Sequence, residues 1–152
     1  GTFFPEVYLR ALASTGIRKP KKGLLFSSGS KDQKLKFVEV AGSLKNLNVP
    51  IYATEGSADH LKELGVDCFK IAQKEIDRNF LINLFQQKKI DLVINIPKSK
   101  QDVEKFNNRK IRELASSTQC SLITDTEKSV EFLRSLQLLN QNSSEVKALH
   151  LL

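Results

Sequence analysis

Ala53-Thr54-Glu55-Gly56-Ser57-Ala58-Asp59 contains the residue types in this chain best suited to holding a ligand. Thr54 and Ser57 flank Gly56, after an apolar run and before a helix-like stretch. Glycine lets backbone approach a ligand closely, hydroxyls donate and accept, and a helix N-terminus offers free N–H groups to an anion. Ser57 would also serve as a plain helix N-cap, which is worth about 1 kcal/mol. Neither Gly-x-x-x-x-Gly-Lys-Ser/Thr nor Gly-x-Gly-x-x-Gly occurs, so this is not a P-loop or a dinucleotide fingerprint.

Polar residues follow other apolar runs in the same way. Lys34 lies just beyond the run at residues 23–27, and Asn95, which both donates and accepts, ends the run at residues 90–95. Pro97, Lys98 and Lys100 come next. Hydroxyls, amides and a lysine converging on one sheet edge predict a small anionic ligand. Catalysis has less support. Glu55, Asp59 and Asp125 are carboxylates at helix starts, where a negative charge already favours the helix. No histidine is near Asn95 or Ser28 in sequence, and no nucleophile–base pair is legible from spacing.

Such an edge requires strands alternating with helices. Residues 6–13 predict an entry helix stopped by Ser14-Thr15-Gly16, and Arg18-Lys19-Pro20-Lys21-Lys22 an exposed basic connector. Residues 23–27 predict the first strand. Leu35, Val38, Ala41, Leu44 and Leu47 have helical spacing across residues 33–47. A second strand follows at 49–53, a helix at 58–64 closed by Gly65, and an edge strand at 66–71 interrupted by Asp67 and Lys70. Residues 79–88 predict a helix with Phe80, Leu81, Leu84 and Phe85 on one side, and 90–95 a central strand. A helix at 108–117, a fifth strand at 121–124 and a helix at 126–136, capped by Thr126 with Glu127 in its first turn, complete the pattern.

Beyond Leu139 the periodicity is lost, so residues 140–152 are expected to form a tail behind one domain spanning 1–139, with 1–22 as its entry helix and connector. The alternation predicts an α/β fold: a three-layer α/β/α arrangement around a five-stranded, mainly parallel sheet. Ligands of such sheets bind beyond the carboxyl ends of the strands, where strand order reverses. That rule selects residues 27–34, 53–59, 72–74, 95–108 and 124–126.

Composition narrows the function further. With 152 residues, 40% hydrophobic and 27% charged, the chain suits a single globular domain. No apolar run approaches a membrane span and no signal-peptide pattern opens the chain, so neither membrane insertion nor secretion is expected. Cys68 and Cys120 are expected to be buried free thiols. There is no Cys-x-x-Cys, and His60 and His150 are isolated, so no metal site is expected. The net charge of +7 raises nucleic acid as a partner. The chain has only two tyrosines and no tryptophan, and its phenylalanines fall at core positions, so stacking on bases is not expected. A basic surface that attracts small anionic metabolites explains the charge as well. The chain lacks methionine and opens Gly-Thr-Phe-Phe-Pro, which reads as part of a longer polypeptide.

Four ordered motifs carry a family resemblance. They are Leu12-Ala13-Ser14-Thr15-Gly16 with Lys21-Lys22-Gly23, Tyr52-Ala53-Thr54-Glu55-Gly56-Ser57-Ala58-Asp59, Ile90-Asp91-Leu92-Val93-Ile94-Asn95-Ile96-Pro97, and Asn107-Asn108-Arg109-Lys110-Ile111-Arg112. Together they resemble the C-terminal domain of the large carbamoyl-phosphate synthetase chain, which has the methylglyoxal-synthase-like fold, over roughly residues 8–136. The resemblance implies a ligand-sensing regulatory domain attached to synthetase domains that make carbamoyl phosphate from bicarbonate, ATP and ammonia or glutamine. ATP and magnesium would belong to those other domains, and this domain would need no cofactor or catalytic residue of its own. The parent would serve pyrimidine, arginine or urea synthesis in the cytoplasm or the mitochondrial matrix.

By the same resemblance the effector pocket would use Thr54, Gly56, Ser57 and Asn95, with Asn108 as in the branch that senses N-acetylglutamate. Lys34 matches a phosphate-holding lysine of the nucleotide-sensing members, and Lys98 follows the strand-four motif. After the third strand, nucleotide-sensing members carry lysine and N-acetylglutamate-sensing members tryptophan; Gln73 stands there, with Lys74 next to it. The family's Ile-Arg-Arg is here Ile111-Arg112-Glu113. A free-standing lyase of the methylglyoxal-synthase type shares the fold, but it needs an aspartate and histidine set that this pattern does not supply. That lyase and a basic nucleic-acid-binding module are the alternatives.

Overall fold

The computed structural model describes residues 5–72, 79–99 and 106–151. Five short strands form one sheet: β1 (Leu24–Ser27), β2 (Ile51–Thr54), β3 (Phe69–Ile71), β4 (Leu92–Asn95) and β5 (Ser121–Ile123). Every pairing is parallel and the spatial order is β3-β2-β1-β4-β5. The chain winds outward from β1 to β3, then crosses back to lay β4 on the other side of β1. Strand order therefore reverses between β1 and β4, the place where ligands of open α/β sheets bind.

Parallel strands covered on both faces read as continuous apolar runs, and β4 is buried along its whole length. Successive side chains leave opposite faces. Leu24 and Phe26 of β1, with Leu92 and Ile94 of β4, join the core of one face, while Leu25 and Val93 join that of the other. The first core is completed by residues of α1 (Pro5–Ser14), α3 (Ala41–Lys45), α4 (Glu55–Glu63) and α7 (Thr126–Leu151). The second is completed by α5 (Asn79–Gln86) and α6 (Phe106–Ser117). This is the expected three-layer α/β/α fold, and β3 is the expected edge strand.

Several boundaries depart from the sequence pattern. The helix expected over residues 33–47 is three pieces: α2 (Lys31–Leu35), a 3₁₀ turn (Val38–Val40) and α3. Phe37 turns fully inward at the break and meets the Phe26 ring edge-on at 5.0 Å. Leu35 and Val38, expected on the buried stripe, are instead 56% and 47% exposed. Ser30 starts α2 early through a capping box with Gln33. Helix α4 begins at Glu55 rather than at residue 58, so Ser57 lies inside the helix and Thr54 is its N-cap residue. Gly65, at φ +77°, ends α4 as expected, its N–H bonding back to Lys62 O.

At α7 the cap is Asp125, not Thr126: its carboxylate accepts the Lys128 N–H at 2.8 Å. Asp125 and Thr126 are adjacent cap-forming residues, and the one whose oxygen reaches back to the third helical amide takes the role. The same helix continues to Leu151, beyond Leu139, where the apolar periodicity stops. Neither Cys68 nor Cys120 is fully buried; both are half-buried free thiols. Among the described residues no helix is long and apolar enough to cross a membrane.

One further contact anchors the entry segment. Asp91 precedes β4, and its carboxylate accepts the backbone N–H groups of Lys21, Lys22 and Gly23 at 2.7–3.1 Å. It fastens the basic connector to the amino end of the central strands.

Candidate functional site

At the carboxyl edge, β1 and β2 end in hydroxyl residues that meet. Ser57 Oγ accepts the Ser28 N–H at 2.9 Å and lies 3.3 Å from Ser28 O. Thr54 Oγ1 is 3.1 Å from Ser57 Oγ and 3.3 Å from Ser27 Oγ. Thr54 thus spends its hydroxyl on this cluster and gives α4 no side-chain cap. The first-turn amides of a helix have no intrahelical partner, so they remain donors at the strand ends.

Lys34 is brought to the same place by α2. A Cβ added at Gly56 would lie 3.2 Å from Lys34 Nζ, so the ammonium sits against the first turn of α4. On the other side, Asn95 ends β4 in register with Ser27 of β1, across the reversal of strand order. The Asn95 side chain is completely buried, and neither its amide nitrogen nor its carbonyl oxygen has a hydrogen-bond partner among the described residues. Buried Ser28 Oγ is unpartnered in the same sense. Just beyond, a Cβ at Gly29 would lie 2.6 Å from Pro97 O, so the loops after β1 and β4 touch only because residue 29 is glycine.

The structure therefore joins Thr54, Gly56, Ser57 and Lys34 directly and sets Asn95 across from them. Asn108 is half-buried in the first turn of α6, and Lys98 is exposed in the loop after β4. Gln73 and Lys74 lie outside the described residues. Ser27 and Ser28, within the selected segment 27–34, complete the cluster, and the Ser-Ser-Gly-Ser run after an apolar strand is their signal in the sequence. His60 Nε2 is 2.8 Å from the Lys34 carbonyl oxygen, a contact that sequence spacing does not show.

Of the helix-start carboxylates Glu55, Asp59 and Asp125, the last two have other engagements. Lys70 donates to Asp59 at 2.9 Å and holds its carboxyl below the usual range. Asp125 caps α7. Among the described residues no group of three or more His, Cys, Asp or Glu is placed to hold a metal ion. The arrangement offers hydroxyls, helix amides, an ammonium and a buried carboxamide, which is equipment for binding an anion with a polar body.

A family model described as "MGS-like domain" matches residues 36–124. The chain is 32% identical to the multifunctional protein ura1 of Schizosaccharomyces pombe over 128 residues, 79% of this chain and 6% of that protein. It is 35% identical to the carbamoyl phosphate synthase large chain, C-terminal section, of Aquifex aeolicus over 99 residues, 65% of this chain and 18% of the relative. The corresponding section from Methanopyrus kandleri is 26% identical over 147 residues, 97% of this chain and 27% of the relative. The chain thus spans well under a third of the length of these relatives.

Proposed function

The chain belongs to the MGS-like domain family, and on that premise we propose that it is the allosteric effector-binding domain of a carbamoyl-phosphate synthetase. The observation that carries this reading is Asn95: a wholly buried side chain with both amide ends unpartnered among the described residues, at the reversal of strand order. An unsatisfied buried polar group costs about 1–3 kcal/mol, and such groups persist where function uses them. Asn95 presents a donor at Nδ2 and an acceptor at Oδ1. A ligand carrying an amide or imide as well as an acidic group would satisfy both ends while its charge meets Lys34 and the first turn of α4.

N-acetylglutamate and uridine nucleotides are two metabolites of that chemistry. Thr54, Ser57 and Asn108 would line the remaining walls, and Lys98 would add positive charge at the rim. The domain acts without metal or cofactor; the parent's synthetase domains are its partners and use ATP and magnesium. Regulation follows if the effector binds one state of the parent more tightly than another. Titration calorimetry with N-acetylglutamate, UMP, UTP and IMP tests this reading: heat of binding to one of them supports it, and no binding at millimolar concentration to any overturns it. Release of methylglyoxal and phosphate from dihydroxyacetone phosphate would establish a lyase instead.

A further inference from the structure

We infer that His60 is a positioning residue for this site and acts through Lys34; the inference rests on the effector-binding reading above. Lys34 belongs to α2, a helix of only five residues. A helix that short has little stability of its own and must be held by its surroundings. The Ser30–Gln33 capping box secures its start. Buried Phe37 and the Lys36–Glu127 ion pair anchor the chain just past its end, and from α4 His60 Nε2 lies 2.8 Å from the Lys34 carbonyl oxygen itself. A carbonyl only accepts, so Nε2 carries the hydrogen.

His60 and Gly56 are four residues apart on α4 and share one face of that helix. One end of Lys34 meets each of them: the carbonyl meets His60, and the ammonium lies against Gly56. The long lysine stem is flexible, so where its charge spends time depends on where its Cα is fixed. By fixing the Lys34 backbone, His60 sets the ammonium over the first turn of α4, beside the Thr54 and Ser57 hydroxyls. The ring is half-buried, so its place is not set by core packing alone.

Four proteins test this: His60→Leu, His60→Gln, Lys34→Ala and the double variant Lys34→Ala with His60→Leu. Glutamine can present an N–H close to the position of imidazole Nε2. Each is titrated with N-acetylglutamate and with UMP, alongside thermal denaturation. Losing one aligned hydrogen bond in His60→Leu is expected to weaken binding about threefold to tenfold. His60→Gln should recover most of that affinity. In the Lys34→Ala background, His60→Leu should have no further effect, because residues acting as one unit are not additive. Wild-type affinity in His60→Leu, or an equal loss with and without the Lys34 side chain, overturns the inference and leaves the effector-binding reading standing. Should His60→Leu unfold, the Gln variant decides: binding within about twofold of wild type supports the role, since it keeps the donated bond, and a larger loss in a folded Gln variant contradicts it. Wild-type protein that binds neither probe, nor UTP or IMP, refutes both readings together.

Discussion

Ser57 Oγ accepts the backbone N–H of Ser28 at 2.9 Å, which ties the inside of α4 to the end of β1. Both residues are buried, with Ser57 only 1% exposed. Their contact joins the hydroxyl cluster of α4 to the loop after β1.

Ser57→Ala should therefore cost stability before any ligand is considered. It strands a buried N–H, and the expected loss is about 1–3 kcal/mol. Urea denaturation of the two proteins measures it. A change within about 0.5 kcal/mol, as expected for a surface position, would show that the Ser28 amide finds another partner.

One carboxylate clasps the end of the entry connector, while Ser121 Oγ accepts the Arg18 N–H at its start. Asp91→Ala removes the acceptor for three backbone N–H groups. Hydrogen exchange at Lys21, Lys22 and Gly23 should accelerate in that variant, while the amides of β1 and β4 stay protected. Unchanged exchange at the three positions would mean that the clasp does not hold the connector.

The broken helix after β1 makes a sharp prediction. Phe37 is fully buried and Leu35 largely exposed, the reverse of what a continuous helix over residues 33–47 would give. Phe37→Ala should destabilise by about 3–5 kcal/mol, and Leu35→Ala by no more than about 0.5 kcal/mol. Comparable losses at both sites would favour the continuous helix.

Alkaline pH should weaken the fold through Cys120. Burial pushes its thiol up from 9.0, although Thr118 partly opposes this. Below the unfolded value both states keep the proton. As pH rises through 9.0 the unfolded chain ionises first, so stability falls until the folded thiol also titrates. Denaturation midpoints at neutral and alkaline pH should drop less in Cys120→Ala than in wild type; an equal drop would assign the effect elsewhere.

Much of this architecture was legible in the residues. Apolar runs such as Leu92-Val93-Ile94 mark buried parallel strands, and Thr54-Gly56-Ser57 stands at the junction where such sheets bind ligands. Two apolar series with helical spacing overlap here, Leu35-Val38-Ala41-Leu44 and Phe37-Val40-Leu44-Leu47, and periodicity alone could not show which one faces the core. Thr126 and Asp125 both suit a helix start, and only the reach of one carboxylate separated them. The pairing of His60 with Lys34 spans 26 residues and depends on how α2 packs against α4, which no local pattern encodes.

Asn95 provides the most direct test of the effector-binding account. Replacing it with alanine removes a buried amide that has no partner among the described residues, so the folded state should lose little or even gain stability. The same change should weaken binding of N-acetylglutamate or UMP by at least about tenfold, the cost of one buried hydrogen-bonding group in a ligand site. Calorimetric titration of Asn95→Ala beside wild type measures this. A folded variant that has lost affinity is the predicted result; a variant that binds as tightly as wild type would contradict the account.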